Sequence, residues 1–404
     1  MSTSLLYHAF GVRGYEYRKA EYREGGMILR AVQARETCRC SACGSADVIL
    51  RGGQEREFRL PPVGKKPVTL ALFIPRVGCR TCGVVRQVVV RFADPRVSYS
   101  KSFARYALEL SQHMTIQDVS DHLGISWDVI KEIQKQDLHR RFDKPKLKGV
   151  RHIAIDEISV GKGHHSVTVV LDLDSGAVIH VGEGKGGDAL QHFWKRLRSS
   201  GAQVEAVATD MSPAYVEAVL KHLPKASLVF DRFHVMKLFN DKLSDLRREL
   251  YREATDMLHK NVLKGTRWLL LKRPYNLDVD RDEPARLAEA LRLNQPLATA
   301  YYLKEELAEL WEQEDQESAI AFLQSWIAQA ESSGIRMLQK FAKTLRAHAW
   351  GILNYYDHEI STAPLEGTNN KIKTMKRQAY GFRDQEFLRL KILGIHETKY
   401  ALVG

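Results

Sequence analysis

Three acids in this 404-residue chain stand where an acid is conspicuous. Asp156 closes an apolar run in RHIAIDEISV, Asp210 follows VEAVAT, and Glu366 opens the helical pattern of STAPLEGTNNKIKTMKRQAYGFRD. An ionised carboxylate at the end of a buried strand is costly unless it is paired, hydrogen-bonded or bound to a metal. Three carboxylates converging on one point supply the hard oxygen ligands that Mg²⁺ or Mn²⁺ takes. Divalent ions held there suit phosphoryl transfer: they activate an attacking water or hydroxyl and stabilise the leaving oxygen. Each acid also has an ordinary reading. Asp156 could pair with Arg151, Asp210 could cap the next helix, and Glu366 is the kind of acid that a helix dipole favours in a first turn.

The five cysteines suggest a second kind of chemistry. All precede residue 83. Cys40 and Cys43, and again Cys79 and Cys82, have the two-residue gap that lets both thiolates of a tight turn reach one ion. Gly44 and Gly83 follow the pairs. Two such turns predict a structural Zn²⁺ site with strands between them, such as 68–75. Cys38 is surplus, and from spacing alone either Cys38 or Cys40 could be the fourth ligand.

The bulk composition agrees with an intracellular, polyanion-binding protein. Lys and Arg number 61 against 49 acids, for a formal charge of +12, which makes nucleic acid the default partner; the helix-turn-helix pattern below makes that double-stranded DNA. No run reaches the ~18 apolar residues of a membrane helix, so no membrane partner is expected. The cysteine pattern does not resemble a secreted disulfide framework, which points to the cytoplasm.

Elements must position these residues. Residues 1–36 read as short strands and turns. In TIQDVSDHLGISWDVIKEIQ, Thr115 and Asp118 form a capping pair, and Ile116, Val119 and Leu123 make one apolar face. Gly124 serves a turn, and Ile125, Ile130 and Ile133 supply a second buried face. This is a helix-turn-helix pattern, with Trp127, Asp128, Lys131, Gln134 and Lys135 expected on the exposed, DNA-reading side. RRFDKPKLKG reads as a basic linker. From residue 151, three strands with short turns precede an alternation of helix and strand. His164 and His165 fall in the first turn. Strands at 151–159, 166–173, 177–181, 204–209 and 227–230 give the order β-β-β-α-β-α-β-α of an RNase H-like sheet. In that fold Asp156 and Asp210 sit on neighbouring strands, and a later helix brings Glu366, with Asn369 or Asn370 and Lys373 on the same side. Asp231 also ends a strand and rivals Asp210. Glu157 should face away from Asp156 by strand alternation. Residues 240–345 read as an all-helical insertion, in which Trp268, Trp311 and Trp326 are expected in the core.

With these stretches in place, the chain resembles transposases of the ISL-three insertion-sequence family, in the DDE superfamily. IAIDEISVGKGHHSVTVVLDLDSG, ATDMSPAY, VFDRFHVMKLFN, KGTRWLLLKRP, PLEGTNNKIKTMKRQAYGFRD and the cysteine pairs carry the resemblance. It implies a catalytic triad of Asp156, Asp210 and Glu366 with two divalent ions, and a further Asp-x-x-His motif at Asp231 and His234. It also implies end cleavage and joining of 3′ ends to target DNA by a homodimer or larger synaptic complex. The helix-turn-helix and zinc module would read terminal inverted repeats, while Asn370, Lys371, Lys373, Lys376 and Arg377 hold phosphates. A nuclease without strand transfer and a non-catalytic DNA-binding regulator are the alternatives. The expected fold class is multidomain α+β. It comprises an N-terminal zinc ribbon (1–98), a helix-turn-helix (99–142) and an RNase H-like catalytic domain (143–239 and 346–404) interrupted by the helical insertion (240–345).

Overall fold

The computed structural model describes residues 4–161 and 165–400. His164 lies outside them. Two units are resolved, one ending at Arg140 and the other beginning at Arg141.

In the first unit a helix, α1 (Leu5–Phe10), precedes strands β1 (Glu16–Arg23), β2 (Gly26–Val32), β3 (Val48–Val63), β4 (Lys66–Cys79) and β5 (Val85–Gln87). The helix corrects the expectation of strands and turns alone. Leu6 and Phe10, one turn apart, both enter the apolar cluster beneath the sheet. The sheet runs β1-β2-β4-β3, with β5 on β4. Leu70, Leu72 and Ile74 alternate into the core at the strand period of two. In the β3–β4 hairpin Val48 pairs with Cys79, which carries one cysteine turn to the other.

Three helices follow: α2 (Lys101–Leu110), α3 (Ile116–Leu123) and α4 (Trp127–Phe142). Thr115 and Asp118 close the expected capping box on α3. Gly124 ends α3 at φ 57°, a left-handed conformation that a side chain would strain. The Ser120 hydroxyl donates to the Ile125 carbonyl at 2.6 Å, fixing the turn into α4.

The second unit is built on strands β6 (His152–Ser159), β7 (Ser166–Asp172), β8 (Val178–Glu183), β9 (Ala206–Thr209) and β10 (Ser227–Phe230). Helices α5 (Gln191–Ser200) and α6 (Pro213–His222) fall between β8 and β10. The element order is the expected one. The sheet runs β10-β9-β6-β7-β8, antiparallel across β6, β7 and β8 and parallel across β6, β9 and β10. The segment expected to be a linker is instead packed in part: Leu147 joins the core, and the Pro145 carbonyl accepts from Arg196.

Helix α7 (Arg232–Glu253) opens a helical run: α8 (Met257–Gly265), α9 (Arg267–Leu271), α10 (Glu283–Leu293), α11 (Gln295–Ala308), α12 (Gln316–Ser332) and α13 (Arg336–Leu353). Positions 240 and 345 fall inside α7 and α13, so the insertion and the sheet domain share continuous helices. Phe239, Trp326 and Phe341 stack edge to face in its core, and the Trp326 indole N–H donates to the Leu303 carbonyl. Full burial of a phenylalanine contributes roughly 1.5–3 kcal/mol. Trp311 is buried as expected, but Trp268 is 65% exposed, with Arg267 over its ring. Leu269 and Leu270 take the buried face of this helix, which leaves Trp268 on its outer side. Helix α13 returns to the sheet through Gly351, where a Cβ would lie 2.5 Å from the Phe230 ring. Helix α14 (Ala363–Gln378) then crosses β6, and α15 (Gln385–Leu393) packs beside β8.

Candidate functional site

Strand register builds the acidic site. In the parallel pair β6–β9, Ile153 lies opposite Val207 and Ala154 opposite Ala208. In the parallel pair β9–β10, Thr209 lies opposite Phe230. Carried past the strand ends, this register sets Asp156, Asp210 and Asp231 level across three adjacent strands. Sequence order placed Asp156 and Asp210 together. The tertiary structure adds Asp231 to the same row.

Each aspartate is held differently. Asp156 is half-buried. Its Oδ1 accepts from the Glu157 backbone N–H at 2.7 Å, and its Oδ2 accepts from the Asn369 amide at 2.8 Å. Burial pushes its carboxyl above the usual range, and the charge of Asp210 adds to that. Asp210 Oδ1 accepts from the Ser212 N–H at 3.0 Å, one residue before Pro213 starts α6. Asp231 is buried at the N-terminus of α7. It accepts from the His234 N–H and lies 3.3 Å from His234 Nδ1, while its Oδ1 accepts from the Thr362 N–H at 3.0 Å. Burial alone would raise the Asp231 carboxyl, but these donors hold it below the usual range. Burial opposes charging of His234, yet the hydrogen bond to Asp231 and the charges of Asp156 and Asp210 raise its pKa overall. The imidazole therefore holds its proton more tightly than a free one beside the row.

Glu157 is exposed on the other face. Its cross-strand partner Thr168 bonds the Tyr215 hydroxyl of α6, as alternation requires. Glu366 is exposed near the start of α14, and its side chain is not gathered with the aspartates. Among the described residues, no three carboxylate or imidazole ligand groups close to within 4.8 Å. The residue of α14 that reaches Asp156 is Asn369, which is buried; Asn370 is exposed. Sequence left these two asparagines open. The helical spacing of Asn369 with the buried Leu365, Thr368 and Ile372 was the signal that separates them. The oxygen-rich donors at Asp156 and Asp210 suit a hard divalent cation, which would relieve the burial penalty on Asp156.

The thiols form a tighter cluster. Cys40, Cys43, Cys79 and Cys82 offer sulfurs all within 4.8 Å of one another. Cys40–Cys82 and Cys43–Cys79 are each 3.6 Å apart. Tetrahedral zinc with its usual bond lengths sets sulfurs about 3.8 Å apart, so this set fits Zn²⁺. Backbone N–H groups of the turns, that of Cys82 first, hold the Cys79 thiol down to about 6. Cys38 lies in the apolar core instead, its thiol near the Ala34 carbonyl, which removes it as the fourth sulfur.

On α4, Trp127 is exposed, with the Lys131 ammonium 5.7 Å from its ring centroid. Asp128 is exposed and Lys135 half-buried. Gln134 departs from expectation: it is buried, because it shares the inward face with Ile130 and Ile133 at helical spacing. On α14, Lys371, Lys373 and Arg377 are exposed, whereas Lys376 is half-buried and donates to the Ser159 carbonyl at 3.3 Å.

Residues 153–392 match the family model described as a transposase. A full-length relative decides the assignment further: the transposase for insertion sequence element IS1001 of Bordetella parapertussis is 32% identical over 97% of this chain and 98% of its own. This chain belongs to the ISL3 family of transposases. Two further family models agree with that. Residues 88–137 match the helix-turn-helix domain of transposase family ISL3, and residues 36–82 match the zinc finger of related insertion-sequence transposases. The IS1557 transposase of Mycobacterium tuberculosis H37Rv is 28% identical over 97% of this chain and 94% of its own. The Drosophila P element transposase in a strand transfer complex aligns over 76% of this chain and 94% of its own, at 11% identity and TM-score 0.41. This ISL3 transposase therefore combines a zinc ribbon bearing a four-cysteine cluster, a helix-turn-helix and an α/β catalytic domain. Among its described residues, no helix is long and apolar enough to cross a membrane.

Proposed function

We propose that this transposase binds the terminal inverted repeats of an insertion sequence, cleaves DNA at the element ends and joins the 3′ ends to target DNA. The observation that carries this reading is the row of carboxylates set level across three adjacent parallel strands, crossed by the helix that bears Glu366. Asp156, Asp210 and Glu366 would hold Mg²⁺ or Mn²⁺. Bound there, the ions would activate the attacking water or 3′-hydroxyl and stabilise the departing 3′-oxygen. The protein's own groups do the rest. His234 engages Asp231 at the edge of the row. Lys371, Lys373 and Arg377, with Asn370, hold DNA phosphates along the exposed side of α14. Trp127, Lys131 and Lys135 contact DNA from α4. Two ends must be joined in one event, so the working form is a homodimer or larger synapse. The bacterial cytoplasm is where such DNA is met.

The test uses DNA carrying the inverted repeats that flank the gene, with Mg²⁺. Wild-type protein should nick the ends and join pre-cut 3′ ends to a second duplex. Asp156→Ala should lower both activities by roughly a thousandfold, a loss of about 4 kcal/mol of transition-state stabilisation. Full activity in Asp156→Ala would sink the carboxylate mechanism. Nicking without any joined product would instead make the protein a nuclease.

A further inference from the structure

Helix α14 is fastened to the acidic row at two points, and Glu366 lies between them. At its start, the Thr362 N–H donates to Asp231 Oδ1 at 3.0 Å. Two turns on, the Asn369 amide donates to Asp156 Oδ2 at 2.8 Å. The Glu366 N–H bonds the Thr362 carbonyl at 2.9 Å, so the turn carrying the acid is fixed directly to the first fastening. Asp231 is already committed on its other side, where it caps α7 and meets His234. It thus ties the start of α7 to the start of α14.

Asn369 shows a further feature. It is only 6% exposed, and its Oδ1 is buried without a hydrogen-bond partner. A buried amide that leaves its acceptor unsatisfied costs about 1–3 kcal/mol. A purely packing role would be served better by leucine, which matches asparagine in shape and forms helix more readily. What the amide supplies and leucine cannot is its donor, which is spent on Asp156.

We propose that Asn369 is a positioning residue for the carboxylate site, with Asp231 as its partner at the other end. Asn369 holds Asp156 Oδ2 in one orientation and sets the register of α14 so that Glu366 is presented to the row. This rests on the carboxylate reading above. Residues that orient metal-binding groups typically change metal affinity by about 10- to 100-fold when removed.

The experiment measures Mn²⁺ binding to the zinc-loaded full chain by electron paramagnetic resonance, with melting temperature in chelator-free, Mn²⁺-free buffer as the folding control. Asn369→Leu, which fills the same space, and Asn369→Ala are compared with wild type and Asp156→Ala. The expected result is binding weakened about tenfold or more in both Asn369 variants, with the Asn369→Leu melting temperature kept near wild type. Wild-type Mn²⁺ affinity in Asn369→Leu, alongside lost binding in Asp156→Ala, overturns the positioning role and leaves the carboxylate site standing. Equal binding by wild type and Asp156→Ala overturns both.

Discussion

The chain holds two metal-type clusters, and they are organised in opposite ways. The four cysteines are already gathered: their sulfurs lie within 4.8 Å of one another, delivered by two short turns on one hairpin. The acids are spread over three strands and a distant helix. Three aspartates stand level across their strands, one of them also bonded at two helix starts, and Glu366 is exposed on α14. Thiols can share protons and lie close without an ion, whereas carboxylates that converge in a buried place are costly: burial first, and the charge of Asp210 after it, push the Asp156 carboxyl up. A closed set of four soft ligands is a structural site. An open, partly assembled set of hard ligands is suited to a substrate that must enter.

The sharpest way to break this comparison is to remove zinc. Strong chelation, or Cys79→Ser, should melt the first unit, because structural zinc binding contributes of order 10 kcal/mol to folding in small modules. The sheet of the second unit should keep its own transition. Calorimetry that shows one unchanged transition would mean the four thiols need no ion. The second contrast lies within the acids. Asp210→Asn should lower end cleavage by roughly a thousandfold, while Glu157→Gln, on the opposite face, should stay within about threefold. Equal losses in the kinetic assay would remove the argument from strand alternation.

A smaller effect comes from His180 on β8. Burial, despite its contact with the Ala189 carbonyl at 2.9 Å, holds its pKa down to about 4 from 6.5. A depressed histidine contributes stability that is present above its unfolded pKa and is lost as pH falls toward its folded one. The second unit should therefore lose about 2 kcal/mol between pH 7 and pH 5 from this group, and His180→Gln should flatten that slope in urea melts. The smallest effect sharpens the thiol cluster. Cys38→Ser should leave zinc content unchanged and cost about 1–2 kcal/mol for a hydroxyl in an apolar core, whereas Cys40→Ser should lose zinc.

Much of the fold could be read from local pattern. The β7 and β10 strands, the Thr115–Asp118 capping box and the turn at Gly124 follow from periodicity and backbone chemistry acting over a few residues. Errors arose where a residue's face depends on partners far away. Gln134 is polar but shares a helical face with Ile130 and Ile133. Trp268 is aromatic, but Leu269 and Leu270 claim the buried face of its helix. Leu5–Phe10 was too short to be read as a helix until the sheet buried Leu6 and Phe10.

For the site, sequence alone determined which residue types are present and in what order: two cysteine pairs with chelating gaps, and acids in or just after successive strands. Those are local facts, because thiol spacing and strand termination depend on neighbours in the chain. The tertiary structure decided the rest. It excluded Cys38, which a hydrophobic cluster claims. It put Asp231 level with Asp156 and Asp210 through parallel register, and it chose Asn369 over Asn370 by turning one face of α14 onto β6. These outcomes depend on pairing and packing between segments up to two hundred residues apart, where the burial of a face, rather than local propensity, sets which side chain reaches which partner.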